Sequence, residues 1–166
     1  MSYSIFLARI RGKDSLRFKR EVFEEIFLPH CPYLKSYRND QGYMQVEYPD
    51  EGRADISIHN TSEEAERARR QARTPEERLA LPQFPPGDPA YIEFLGFGHF
   101  GGDAFFRDLY TLADRVGAMV YAGGAVIVTK ESVLKEIPED FLGMENACVV
   151  RNPAELEDAV FAGGKL

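Results

Sequence analysis

Four prolines between positions 82 and 89, in the run Leu81-Pro82-Gln83-Phe84-Pro85-Pro86-Gly87-Asp88-Pro89, constrain this chain more than any other feature. Each fixes φ at about −65° and removes a backbone donor, so neither a helix nor an internal strand can run through the segment. The chain must organise as two stretches, 1–60 and 90–166, with 61–89 as the connection between them. At 166 residues it has the size of one domain. A chain of that length buries roughly 70% of its unfolded surface without help from disulfides or metals. The two stretches are therefore expected to share one compact domain.

Periodicity gives each stretch a similar reading of strand, helix and hairpin. Tyr3 to Ile10 is mostly apolar and predicts a central strand. Asp14 or Ser15 then caps a predicted helix to Leu28, with Leu16, Val22, Phe23, Ile26 and Phe27 inward and Arg17, Lys19, Arg20, Glu21, Glu24 and Glu25 on the other face. Tyr33–Arg38 and Tyr43–Tyr48 flank Asn39-Asp40-Gln41-Gly42 as a hairpin, and Ala54–His59 adds a third strand. Thr61 with Glu64 forms a capping box for a polar helix to Ala80. In the second stretch, strand Tyr91–Phe97 leads through glycines to a helix from Gly102 to Val116, whose stripe is Phe105, Phe106, Leu109, Leu112, Ala113 and Val116. Gly117 ends it. A hairpin about Gly123-Gly124, a short helix Glu131–Glu136, a strand Ala147–Val150 and a helix from Pro153 complete the chain. The predicted class is α+β with a mostly antiparallel sheet.

Motifs that resemble chemistry mostly fail on their surroundings. Gly96-Phe97-Gly98-His99-Phe100-Gly101 has dinucleotide spacing, G-x-G-x-x-G. Asp103 at the helix start would compete with a phosphate for the same amides, and no acid follows the next strand to hold a ribose. The glycines are read instead as room for Phe97 and Phe100 to pack, and no cofactor is expected. His99, Asp103 and Arg107 are four apart and would align on a helix extended backward, but no Ser or Cys sits in a nucleophile elbow. Asp103 as a helix cap with His99 bonded locally is the preferred reading, and a small enzyme using the glycine turn and His99 is the alternative. Cys31 and Cys148 lie far apart, and three scattered histidines do not complete a zinc set, so no metal is expected.

Charge points to partners. The net of −7 disfavours nucleic acid as the main ligand. In the polar helix Arg67, Arg69, Arg70, Arg73 and Arg78 are matched by Glu63, Glu64, Glu66, Glu76 and Glu77. Acids outnumber bases from Lys130 onward, which nominates Glu131, Glu136, Glu139, Asp140 and Glu145 as a docking face for a basic partner. The N-terminal residues lack the basic and apolar regions of a signal peptide, and no apolar run approaches the ~20 residues of a membrane helix. A cytoplasmic protein with reduced thiols and no membrane contact is expected. A scaffold role and a homodimer stay open.

The segment Gly98-His99-Phe100-Gly101-Gly102-Asp103-Ala104-Phe105-Phe106 resembles a diffuse set of small bacterial immunity proteins, as do Leu109, Leu112-Ala113-Asp114-Arg115, Met119-Val120-Tyr121, Val128-Thr129 and Ile137-Pro138-Glu139-Asp140-Phe141. These proteins belong to polymorphic or contact-delivered toxin systems. The resemblance implies a cytosolic, non-catalytic inhibitor whose partner is a cognate protein toxin. It assigns no functional residue.

Overall fold

The computed structural model describes residues 4–12, 14–61, 63–82, 87–141 and 146–163, with the backbone alone for 63 and 66. Alternation in its first strand sets the architecture. β1 (Ile5–Arg11) buries Ile5 and Leu7 completely and leaves Phe6 43% exposed between them. That is the period-two pattern of a strand with one covered face and one open face.

The chain continues through β2 (Asp14–Leu16), β3 (Phe18–Lys19), α1 (Arg20–Phe27), a 3₁₀ turn (Leu28–His30), α2 (Leu34–Asn39), β4 (Tyr43–Glu47) and β5 (Arg53–His59). Then come α3 (Glu63–Gln71), α4 (Pro75–Leu79), β6 (Tyr91–Ile92), β7 (Phe94–Gly101), α5 (Asp103–Val116), β8 (Met119–Ala122), β9 (Ala125–Val128), α6 (Glu131–Glu136), β10 (Ala147–Val149) and α7 (Pro153–Ala162). The main sheet runs β10-β9-β8-β1-β7-β5-β4, with β2 beside β1. Its pairs are antiparallel except β10 with β9. The fold is α+β. The two stretches are interleaved, because β1 is hydrogen-bonded on one side to β7 and on the other to β8.

Helices α1, α5 and α7 cover one face. Phe23, Phe27, Phe105, Leu109, Leu112 and Leu156 join Ile5, Leu7, Ile56, Leu95 and Phe97 in one buried cluster. α5 ends where Gly117 takes a left-handed φ of 68°, as its spacing predicts. A second cluster, Met119, Val126, Val128, Val133 and Ile137, lies on the other side, where α6 covers β8 and β9. β9, covered twice, is buried at all four positions.

Several local expectations are corrected. Residues 14–19 form strands, not the first turns of a helix. Leu16 and Ser15 pair with Arg9 and Ile10, and Phe18 with Ile92, so α1 begins only at Arg20. Arg20, expected on the solvent face, is only 7% exposed. Tyr33–Arg38 is not a strand either. α2 occupies it and buries Tyr37, whose hydroxyl accepts from Arg20 Nη1 at 3.2 Å, and the meander reduces to the β4–β5 hairpin. The polar helix is two helices, with a break before Thr74, which caps α4 through Glu77 N–H. Thr61, expected to cap α3, instead gives its hydroxyl to buried Glu93. Pro85 and Pro86 lie outside the described residues.

Candidate binding site on the open sheet face

The face of the sheet opposite α1, α5 and α7 is covered by α6 only at the β8–β10 end. Over β4, β5, β7 and β1 its residues reach solvent. Cross-strand register places Tyr43, Ser57, Gly96 and Phe6 in one row, and Gln45, Asp55 and Gly98 in the next. Tyr43 is 42% exposed and Phe6 43%, and between them the floor is serine and glycine. Three strand spacings separate the two aromatic rims, about 14 Å. The result is a shallow trough with an aromatic wall on each side.

The glycines in this trough are not required by packing. A Cβ built on Gly98 meets nothing within 4 Å, and one on Gly96 makes only ordinary contacts, 3.7 Å to the Phe6 ring and 3.8 Å to Ser57. Neither has a positive φ. This corrects the expectation that the run makes room for Phe97 and Phe100. It also removes the dinucleotide reading on geometry, because β7 continues through the motif to Gly101 and the glycines sit in a strand, not in a strand-to-helix turn. Glycine inside a strand weakens it, and such positions often mark close approach by another molecule.

At one end of the trough stands His99. Strict alternation after Leu95 and Phe97 would turn it into the core. A bulge, where the β5–β7 register shifts between Arg53 and Asp55, inverts the order. Phe100 goes in to meet Phe105 and Phe106, and His99 goes out with φ 48°. Its Nδ1 lies 2.9 Å from Asp55 Oδ2, and Gln45 Nε2 donates to Asp55 Oδ1 at 3.1 Å. Burial alone would raise the Asp55 carboxyl. Hydrogen bonds from Gln45, His99 and Tyr43 outweigh it and hold the group below the usual carboxylate range. Burial, then the Asp55 charge, pushes the Tyr43 phenol up.

His99 also borders a polar hollow of about 400 Å³ with Asp50, Glu51, Gly52, Arg53, Phe100, Gly101 and Gly102. Glu51 (φ 67°) and His99 are the described non-glycine residues with positive φ, and both line this hollow. Its glycines contrast with those in the trough. A Cβ on Gly52 would lie 2.7 Å from Gly101 O, and one on Gly102 (φ 98°) would lie 2.7 Å from Gly52 Cα. This close approach carries Asp50 to the start of α5. There Oδ2 accepts from Ala104 N–H at 3.1 Å while Oδ1 accepts from Gly52 N–H at 2.8 Å. Those bonds hold the Asp50 carboxyl low. The expected cap, Asp103, is thus replaced by an acid 54 residues earlier than Ala104, and His99 is bonded not locally but to a residue 44 positions away.

A second polar cluster escaped the sequence reading. Tyr48 Oη donates to Asp108 Oδ2 at 2.8 Å, and His30 Nε2 lies 3.4 Å from the same oxygen, with the His30 and Tyr48 rings 4.4 Å apart. Burial raises the Asp108 carboxyl and, together with Asp108, raises the Tyr48 phenol. The cluster fastens α5 to the end of β4.

The acidic docking residues are distributed as follows. Glu131, Glu139 and Asp140 are exposed, Glu136 is exposed but 3.6 Å from Arg11 Nη2, and Glu145 lies outside the described residues. Among the described residues no group of three or more His, Cys, Asp or Glu is placed to hold a metal, and no helix is long and apolar enough to cross a membrane. No family model, curated protein or solved structure matches the chain.

Proposed function

We propose that the protein is a non-catalytic binding protein that acts by stoichiometric contact, and that it meets its partner on the trough between Tyr43 and Phe6. The observation that carries this reading is the bare floor. Gly98 weakens a central strand at a position where the fold has open space for a side chain, and Gly96 beside it, at ordinary contact distance from the Phe6 ring, has room for a Cβ. α6 lies on the same side of the sheet as the trough and carries exposed Glu131, with exposed Glu139 and Asp140 following it. That favours a basic partner surface, with the acids steering its approach. The resemblance of 98–141 to immunity proteins supports a protein toxin in the cytoplasm as that partner.

Co-expression with the products of adjacent reading frames, followed by titration, tests the proposal. Protection at about one molecule per partner, lost in Gly98→Thr and slowed in association by Glu139→Lys with Asp140→Lys, is the expected result. Protection at catalytic ratios, or full binding by all these variants, refutes it. The His99–Asp55 pair beside the hollow favours a second reading, a small enzyme in which His99 is a base oriented by Asp55. On that reading His99→Gln abolishes turnover, whereas on the first there is no turnover to lose.

A further inference from the structure

The outer edge of β4 is an open row of backbone donors and acceptors, and the bonds that flank the strand fix which groups lie on it. Ile58 N–H donates to Gly42 O at 2.9 Å, and Tyr48 N–H donates to Gly52 O at 2.8 Å. In an antiparallel ladder, residues bonded to the neighbouring strand alternate with residues that are not. Gly42 and Tyr48 are of the first kind, so Met44 and Val46 between them also turn their N–H and C=O towards β5. Tyr43, Gln45 and Glu47 turn theirs the other way, and β4 is the last strand on that side of the sheet. Tyr43 N–H reaches back to Asp40 O at 3.4 Å. The Tyr43 carbonyl and both backbone groups of Gln45 and of Glu47 have no partner among the described residues. α2 does not stand in for a strand, because it turns Tyr37 to Arg20 on the helical side.

Open edges are normally blunted by lysine, proline, a bulge or shortness. The opposite edge, β10, has three residues. β4 has five, with no lysine or proline among them, and its register against β5 runs without a shift. The strand is also complementary to itself. A two-fold axis at Gln45 sets Gln45 opposite the copy's Gln45 and each Tyr43 opposite a Glu47. Every outward group is then paired, two bonds at Gln45 and two at each Tyr43–Glu47 pair, with Tyr43 N–H exchanging Asp40 O for the copy. On the open face a phenol meets a carboxylate, and no like charges stand directly opposite. The flanks match as well, since exposed Lys35 and Arg38 precede the strand and exposed Asp50 and Glu51 follow it. Antiparallel pairing sets the start of one strand beside the end of the other. The charges of opposite sign there are already engaged: Asp40 accepts from Gly42 N–H, and Arg53 stands across from Glu47. We infer that β4 is the contact surface for a second copy of this chain, the two sheets joining edge to edge about a two-fold axis at Gln45. The contact is independent of the trough, which stays open on the face of the joined sheet.

Sedimentation equilibrium and amide hydrogen exchange of the full chain test the assignment. A five-residue edge is a small contact, so dimerisation is expected between about 10 μM and 1 mM. Met44 and Val46 amides should be protected at every concentration. Gln45 and Glu47 amides should exchange fast in the monomer and at least about tenfold more slowly once dimer predominates. Gln45→Lys sets two like charges across the axis and should weaken the dimer at least about tenfold. Glu47→Pro removes an outward N–H that the fold does not use and should do the same, with the β4–β5 ladder intact. Gly98→Thr, on the trough floor, should leave the dimer unchanged. If Glu47→Pro fails to fold, Gln45→Lys and the exchange rates of the parent chain still decide. A chain that is monomeric at about 1 mM, slow exchange of Gln45 and Glu47 in the monomer, or a dimer that survives Gln45→Lys would each overturn the assignment.

Discussion

Replacing Gly98 by threonine separates the needs of the fold from those of the trough. Gly98 lies in β7, opposite Asp55, with no atom within 4 Å of a Cβ built on it and no left-handed φ. Two gains are therefore expected and no clash: less backbone entropy lost on folding, and a β-branched side chain in an extended strand. Together they come to about 1 kcal/mol in favour of the folded state, or roughly 2–4 °C in Tm for a chain of this size. Gly102→Ala is the control with the opposite sign. Its Cβ would sit 2.7 Å from Gly52 Cα at a φ of 98°, so it should lose more than about 1 kcal/mol. Urea unfolding followed by circular dichroism reads both, provided the slope m is unchanged. The trough account requires Gly98→Thr to be more stable than the parent and weaker in partner binding. A destabilised Gly98→Thr would show that the fold itself needs this glycine, and the reason for placing the contact surface there would disappear.

Leu109→Ala, at a position with no exposed surface in the middle of α5, should cost about 2–5 kcal/mol, read by the same urea titration. Asn152→Ala removes the side chain that accepts from Glu155 N–H at 2.9 Å at the start of α7, and should cost about 1 kcal/mol. Two carboxyls give opposite pH responses. Asp108 is raised above its ordinary 3.8, chiefly by burial, so its neutral form is favoured in the folded state. Stability is lost as pH rises through that shifted value, and Asp108→Asn should flatten the fall in Tm above about pH 3.8. Asp55 is lowered, so its contribution is present above 3.8 and lost as pH falls below it. Asp55→Asn should flatten that acid limb instead.

What the sequence shows plainly is what neighbours in the chain decide. The spacing of Phe105, Leu109 and Leu112, the stop at Gly117, the Gly123-Gly124 turn and Pro153 at the first turn of α7 all agree with the structure. Local signals misled where pairing across the chain took over. Leu16 fits a helical stripe, with Phe18 flanking it, but β1 and β6 supply ladder partners and 14–19 becomes extended. A strand at 33–38 would lie beyond the edge strand β4, and α2 forms there while Tyr37 goes to Arg20. The candidate sites were least legible of all. His99 with Asp55, Asp50 with Ala104 and Tyr48 with Asp108 are separated by 44, 54 and 60 residues. No periodicity encodes such pairs. The one available hint was G-x-G-x-x-G, which marks the floor of a trough instead of a phosphate loop.

The interleaving of the two stretches bears directly on the candidate binding site. β1 supplies the Phe6 rim, β4 the Tyr43 rim, β5 Ser57 and Asp55, and β7 the glycine floor and His99. Residues 1–60 alone would hold both rims without the floor that sets their spacing, and 90–166 alone would leave β7 and β8 each without the strand that joins them. β1 also carries Arg11 to Glu136 on α6, which ties that helix to the same strand that bears Phe6. A substitution that unpairs β1 should therefore disrupt the trough, the seat of α6 and the core together. Substitutions at Ser57, Gly96 or Gly98 change only the floor. Loss of binding with full stability at those three positions, set against joint loss at Ile5 or Leu7, is the pattern that distinguishes a contact surface from a fold defect.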